Sequence, residues 1–143
     1  MTETRRRWDD VEPDTPHIWH TLGYRSVPPE RDYAIEWDAG AEYAFPSPSG
    51  HIMHGGMVTT ILDTAMGGAC WTALNAGETF LTLDLRVEFL RAARPGLLRA
   101  ERVVIHRGRR VAFCSADLFD AEGALLATAR CTQLIRVGAL TSG

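Results

Sequence analysis

No lysine occurs in these 143 residues: all 15 basic side chains are arginines, so imine chemistry through a lysine amine is excluded. Positive charge is not in excess either. Eighteen acidic residues leave a formal net charge of −3, which offers no overall basic field to a nucleic-acid backbone. Long hydrophobic runs are missing: no apolar stretch approaches the ~20 residues of a membrane-spanning helix, and the arginine-rich start (Arg5, Arg6, Arg7) has none behind it. These absences predict a cytoplasmic protein with neither nucleic acid nor membrane as a partner. Cysteine is scarce, and Cys70, Cys114 and Cys131 are odd in number, widely spaced and set in apolar segments, which predicts packed thiols rather than a disulfide framework. His17, His20, His51 and His106 have no ligand spacing, so no metal and no cofactor are expected. A G-x-S-x-G elbow is also lacking, which argues against the serine-hydrolase route to ester chemistry.

What is present is ordinary for a folded domain: 45% hydrophobic and 23% charged residues, enough to bury one core. Residues 1–13 are charged and read as an arm, 14–137 as the domain and 138–143 as a tail. His17 to Leu22 reads as a short helix stopped by Gly23, followed by strands over 24–27 and 33–38 around Pro28-Pro29-Glu30. The prolines and glycine of 45–50 predict an irregular loop. Over 56–75 the period changes. Val58, Ile61, Leu62, Ala65, Met66, Ala69, Cys70, Ala73 and Leu74 form a wide helical stripe, leaving a narrow strip of Thr59, Thr60, Asp63, Thr64, Gly67 and Gly68. Such a helix must be largely buried.

The second half is all strand, with a period-two alternation over 81–89. Leu81, Leu83, Leu85, Val87 and Phe89 predict one core-facing side of a strand, and strands over 97–107, 111–119 and 124–136 complete an antiparallel meander. The expected architecture is α+β, one long central helix packed across a curved antiparallel sheet.

The chemistry-bearing stretch is His54-Gly55-Gly56 at the mouth of the long helix, with Asp63 about two turns on. First-turn amides lack intrahelical partners and carry partial positive charge, so they suit a developing anion. With Asp63 on the same helix, a base or nucleophile and a set of oxyanion donors are expected in one compact locus. A thioester needs no acid to expel its leaving group, because a thiol of pKa about 8.5 leaves readily as thiolate.

The His54-Gly55-Gly56 and Asp63 pattern, then 82–91 (TLDLRVEFLR) and Gly108-Arg109-Arg110-Val111-Ala112, resembles the hotdog-fold acyl-CoA thioesterases of the phenylacetic-acid-degradation (PaaI) type. The resemblance runs over about 22–135. It implies a hotdog fold and hydrolysis of acyl- or aroyl-coenzyme A in a dimer or tetramer whose sites form between subunits. It implies Asp63 as general base or nucleophile, the Gly55 amide as oxyanion donor with Gly56 sharing the task, His54 shaping the loop, and Thr82 positioning water from the facing subunit. It also places coenzyme A contacts around Arg91 and Gly108, Arg109 and Arg110, where arginine pairs well with phosphate. One departure stands out: relatives carry Asn or Gln six residues before the motif histidine and Gly three before it, where this chain has Pro48 and His51, with Gly50 one place early. Ser47 or Ser49 substitutes for that polar contact, or the contact is lost.

Two other readings share these residues. A hotdog acyl-CoA hydratase or dehydratase pairs a histidine with an acid in a motif not found here. A noncatalytic acyl-CoA-binding regulatory module predicts binding without turnover. Met53, Met57 and Met66 flank the helix as core or as an acyl tunnel, with Trp71 and Phe89 setting pocket width. Arg94 and Arg107 extend the basic strand ends, which either bind phosphate or guard sheet edges. A single helix cannot cover a wide sheet, so a homo-oligomer is expected.

Overall fold

The computed structural model describes residues 18–27 and 34–138. The expected arm, His17, the Pro28-Pro29-Glu30 turn, Tyr33 and the tail from 139 lie outside the described residues.

Helix α1 (Ile18–Leu22) stops at Gly23, whose φ of +79° is a left-handed value that favours glycine. Strand β1 (Arg25–Ser26) pairs antiparallel with β2 (Ala34–Ala39). The buried Trp37 ties them to α1, its Nε1 donating to the Leu22 carbonyl at 2.8 Å and its ring meeting Tyr24 edge-on at 5.5 Å.

Residues 45–50 are not an irregular loop. Strands β3 (Ala44–Ser47) and β4 (Gly50–Met53) form a two-stranded hairpin in which Pro46 faces His51. A two-stranded ribbon has edge positions whose amides face away from the ladder, so it accommodates proline, and Gly50 turns the chain with φ +110°. Arg94 clamps the turn, donating to the Ser49 carbonyl at 2.9 Å.

The long helix α2 (Gly55–Thr72) lies across a six-stranded sheet built from β1, β2, β5 (Glu78–Phe89), β6 (Gly96–Arg107), β7 (Val111–Asp120) and β8 (Leu125–Val137). The strand order β1-β2-β6-β7-β8-β5 corrects the expected meander: β6, β7 and β8 are consecutive neighbours, but β5 pairs with β8 at the far edge and β2 takes the place beside β6. The link 90–95 makes this possible. Leu90 and Arg91 N–H groups both donate to the Leu126 carbonyl, and Met53 N–H donates to Ala93, so the chain is led past the helix mouth before Gly96 (φ +134°) starts β6.

Strand β5 also departs from its alternation. A bulge between Thr82 and Asp84 shifts the pleat, so the face under α2 carries Phe80 and Thr82 before it and Leu85, Val87 and Phe89 after it. These pair with Ile135, Gln133, Cys131, Ala129 and Ala127 of β8. Leu81 and Leu83, expected in the core, are 44% and 57% exposed on this edge strand.

The core lies between α2 and the sheet. Ile61, Leu62 and Met66 meet Ile35, Leu98 and Leu118, all fully buried, each worth ~1.5–3 kcal/mol of transfer free energy. Gly67 lies over the start of β5: a Cβ there would stand 3.5 Å from the Phe80 ring, an ordinary contact. Cys70, Cys114 and Cys131 are free and buried, with Cys114 and Cys131 register partners on β7 and β8. No helix among the described residues is long and apolar enough to cross a membrane, and none of these residues cluster as metal ligands.

Candidate active site

The mouth of α2 is organised by His54. As N-cap it has φ −57° and ψ 133°, and its Nδ1 accepts the Gly56 N–H at 2.9 Å. Its carbonyl accepts the Met57 and Val58 N–H groups at 2.9 and 3.2 Å. Of the first-turn amides, Gly55 N–H alone has no partner among the described residues. Gly56 is therefore engaged rather than free to share an oxyanion.

The two glycines are small for different reasons. A Cβ on Gly56 would lie 2.9 Å from His54 Nδ1, so the cap itself requires glycine. At Gly55 a Cβ would stand 3.6 Å from the Phe89 ring, an ordinary contact, and φ is not left-handed. The fold tolerates a larger residue there, and the missing Cβ keeps the amide approachable.

Along the polar strip the threonines are turned inward on the helix. Thr59, Thr60 and Thr64 hydroxyls donate to the carbonyls of Gly55, Gly56 and Thr60 at 2.9, 2.8 and 2.7 Å. Asp63 is left as the strip's acid. It is half-buried, and burial raises its carboxyl pKa above the ordinary aspartate value.

The expected compact locus does not exist within one chain. Eight helical residues separate Gly55 from Asp63, a rise of about 12 Å, too far to serve one carbonyl. Gly55 lies by Phe89 and Gly67 by Phe80, so α2 runs antiparallel to β5 and Asp63, one turn before Gly67, lies over the middle of that strand. Its charge is felt by Cys131, the register partner of Leu85.

Thr82 sits on the same face, and its hydroxyl donates to Gln133 Oε1 at 2.9 Å. Gln133, not among the residues to which the sequence points, is fully buried, and its Nε2 donates to Cys131 Sγ at 3.2 Å. The signal was there: one amide on a strand face otherwise made of Ala127, Ala129, Cys131 and Ile135. Arg102 is a second such break, buried on β6 with its guanidinium donating to the Ala65 carbonyl of α2 at 3.4 Å.

Beside Gly55 opens a cavity of about 300 Å³ lined by Ile52, Met53, Val58, Phe89, Leu90, Ala92, Ala93 and the Arg91 segment. Its lining is mostly apolar. Met53 is thus both core and cavity wall, whereas Met66 is core alone.

The arginines divide. Arg91 follows β5 and bonds to Leu126 of β8, while Gly108, Arg109 and Arg110 turn the chain between β6 and β7 at the opposite end of the sheet, where the Arg110 carbonyl meets Ile135 of β8, about 30 Å farther along that strand. Arg91, Arg109 and Arg110 are exposed. Arg94 is engaged by the hairpin, and Arg107 donates to Glu78 at 2.5 Å and to the Ala73 carbonyl at 3.3 Å, closing the end of α2. Burial works against the Glu78 charge, but the Asn75 N–H and Arg107 together hold its carboxyl below its ordinary range. In the departing loop, Ser47 donates to the Gly50 carbonyl and Ser49 Oγ accepts from Arg94, so both serines are tied within the hairpin.

A family model described as the thioesterase superfamily matches residues 50–127, more than half of the chain. The medium/long-chain acyl-CoA thioesterase YigI of Escherichia coli K12 is 30% identical over 97 residues, which cover 59% of this chain and 63% of that protein. The chain therefore spans just under two thirds of that relative's length. A phenylacetic acid degradation-related protein from Ralstonia eutropha JMP134 is 30% identical with a TM-score of 0.72, covering 85% of this chain and 93% of that one. A Bacillus halodurans protein solved with CoA shares the fold at 20% identity, with a TM-score of 0.73 over 85% of this chain and 77% of that one.

Proposed function

The chain belongs to the thioesterase superfamily, with the hotdog fold of one long helix across an antiparallel sheet, and from that premise we propose that it hydrolyses acyl-coenzyme A thioesters with an apolar acyl group. The observation that carries this reading is the single open amide of the α2 mouth, Gly55 N–H, beside an apolar cavity of about 300 Å³. Relatives named medium/long-chain acyl-CoA thioesterases support the choice of an aliphatic acyl chain for that cavity.

The chemistry needs two copies. The 12-residue edge strand β5 has no neighbour on its outer side among the described residues and exposes Leu81 and Leu83, an edge suited to pairing with itself. Antiparallel pairing of two β5 edges sets the helices side by side in opposite directions, which brings Asp63 of one copy toward the Gly55 amide of the other. The same pairing brings the Arg91 end of one copy toward the Gly108–Arg110 turn of the other, where the phosphates of coenzyme A find guanidinium groups. In the hydrolytic step Asp63 takes a proton from water, the water oxygen bonds to the thioester carbon, and the carbonyl oxygen becomes an anion held by Gly55 N–H. Collapse breaks the carbon–sulfur bond and releases the thiolate. His54 Nδ1 is engaged at the cap by the Gly56 N–H, the part the thioesterase reading gives this side chain in shaping the loop.

The test is thiol release from a panel of coenzyme A esters of decanoyl, benzoyl and phenylacetyl type. Turnover is expected on the aliphatic ester and loss of most of the rate in Asp63→Asn with the assembly intact. Tight binding without thiol release from any ester points instead to a binding module.

A further inference from the structure

We propose that Gln133 is a positioning residue for hydrolysis, holding the Thr82 hydroxyl so that it accepts a hydrogen bond from the attacking water. This rests on the thioesterase reading above. Gln133 is 0% exposed and sits opposite Thr82 in the β5–β8 register, on the face covered by α2. Its two polar ends are engaged on either side: Oε1 accepts from Thr82 Oγ1 at 2.9 Å, and Nε2 donates to Cys131 Sγ at 3.2 Å. Cys131 in turn lies within electrostatic reach of Asp63. One buried amide thus links the exposed hydroxyl on the edge strand to the neighbourhood of the helix carboxylate.

The consequence is directional. A threonine hydroxyl has one proton, and here it goes to Gln133, so only lone pairs remain for a ligand. A water molecule poised to attack has two protons to place. One points to the Asp63 carboxylate, which takes it as the oxygen–carbon bond forms, and the other points to Thr82 Oγ1. A lone pair of the water oxygen is then free to face the thioester carbon. Without Gln133 the hydroxyl is free to turn its own proton toward that lone pair. The water's second proton stays on what becomes the product acid, and the proton on Asp63 leaves with the thiolate or to solvent, so the step balances with no further reactant.

A double-mutant cycle tests this. Thr82→Val, Gln133→Met and the pair are compared by kcat and KM on the best coenzyme A ester, with thermal unfolding and sedimentation recorded for each. Gln133→Met is expected to lower kcat about tenfold, the worth of one hydrogen bond, with KM little changed. In the Thr82→Val background the same substitution is expected to lower kcat no further, since Gln133 acts through that hydroxyl. Gln133→Asn keeps the amide but withdraws it by one methylene. It must show the same kcat loss, and it serves if the methionine variant folds poorly. A packing role predicts a lowered melting temperature and equal losses in both backgrounds. Unchanged kcat in Gln133→Met, or an undiminished loss in the Thr82→Val background, overturns the proposal while leaving the thioesterase reading intact. Absence of thiol release from the unmodified protein overturns both.

Discussion

Proline at position 55 removes one hydrogen-bond donor and very little else. Gly55 opens α2 directly after the N-cap, the helical position where proline's fixed φ fits and its missing N–H breaks no intrahelical bond. The preceding residue is already in the conformation that proline demands, with His54 at ψ 133°. The new Cβ meets Phe89 at about the 3.6 Å of an ordinary contact, and the carbonyl that receives Thr59 is untouched. Gly55→Ala supplies the control: it adds the same Cβ and keeps the N–H. If this amide holds the oxyanion, Gly55→Pro should lower kcat by ~10²–10³ relative to Gly55→Ala, a loss of about 2.7–4 kcal/mol of transition-state stabilisation. Stability should hold or rise by ~0.4–1 kcal/mol, because proline restricts the unfolded chain. Thiol release from the preferred ester measures the first and thermal unfolding the second. A proline variant that folds and turns over within about threefold of the alanine variant refutes the assignment of Gly55 as the donor.

Asp63→Asn should lower kcat by ~10²–10⁴ and at the same time raise the melting temperature at pH 7. The carboxyl pKa is raised in the fold by burial, so its protonated form favours folding at low pH and that contribution is lost as pH rises; the stability gap between variant and parent should therefore close near pH 3. For the same reason the acid limb of kcat/KM should lie above the ordinary aspartate pKa and vanish in any residual rate of the variant. Leu83→Glu places charge on the exposed bulge of β5 and should yield monomers by sedimentation together with lost turnover; active monomers contradict a site built from two copies. Arg107→Met leaves Glu78 with the Asn75 N–H but without its guanidinium and should destabilise by about 1 kcal/mol at pH 7. Because the Glu78 pKa is lowered in the fold, that contribution exists above the unfolded carboxylate value and should fade as unfolding is measured at falling pH.

The elements were legible where a period or a stop signal is local. The 3-and-4 spacing that begins at Val58, the glycine after Leu22 and the turns at Gly108-Arg109-Arg110 and 120–123 that bound 111–119 and 124–136 each depend on near neighbours, and the structure places a helix or strand at each, α2 ending at Thr72, before the Leu74 of the expected stripe. Those same local signals misread 45–50, because proline and glycine forbid a central strand but not a two-stranded edge ribbon. They also misread β5, where a one-residue bulge moves Leu81 and Leu83 out of the core without changing the letters.

By itself the sequence determined that an acid lies on the narrow polar strip of an otherwise buried helix and that two glycines open that helix, since both follow from the order of residues along one α-helix. Only the tertiary structure decided which glycine amide stays open, because that depends on where the His54 imidazole folds back. It decided too that β5 lies at the outer edge beside β8, and that Gln133, about fifty residues from Thr82 in the chain, reaches its hydroxyl, since strand pairing joins residues that no local pattern relates.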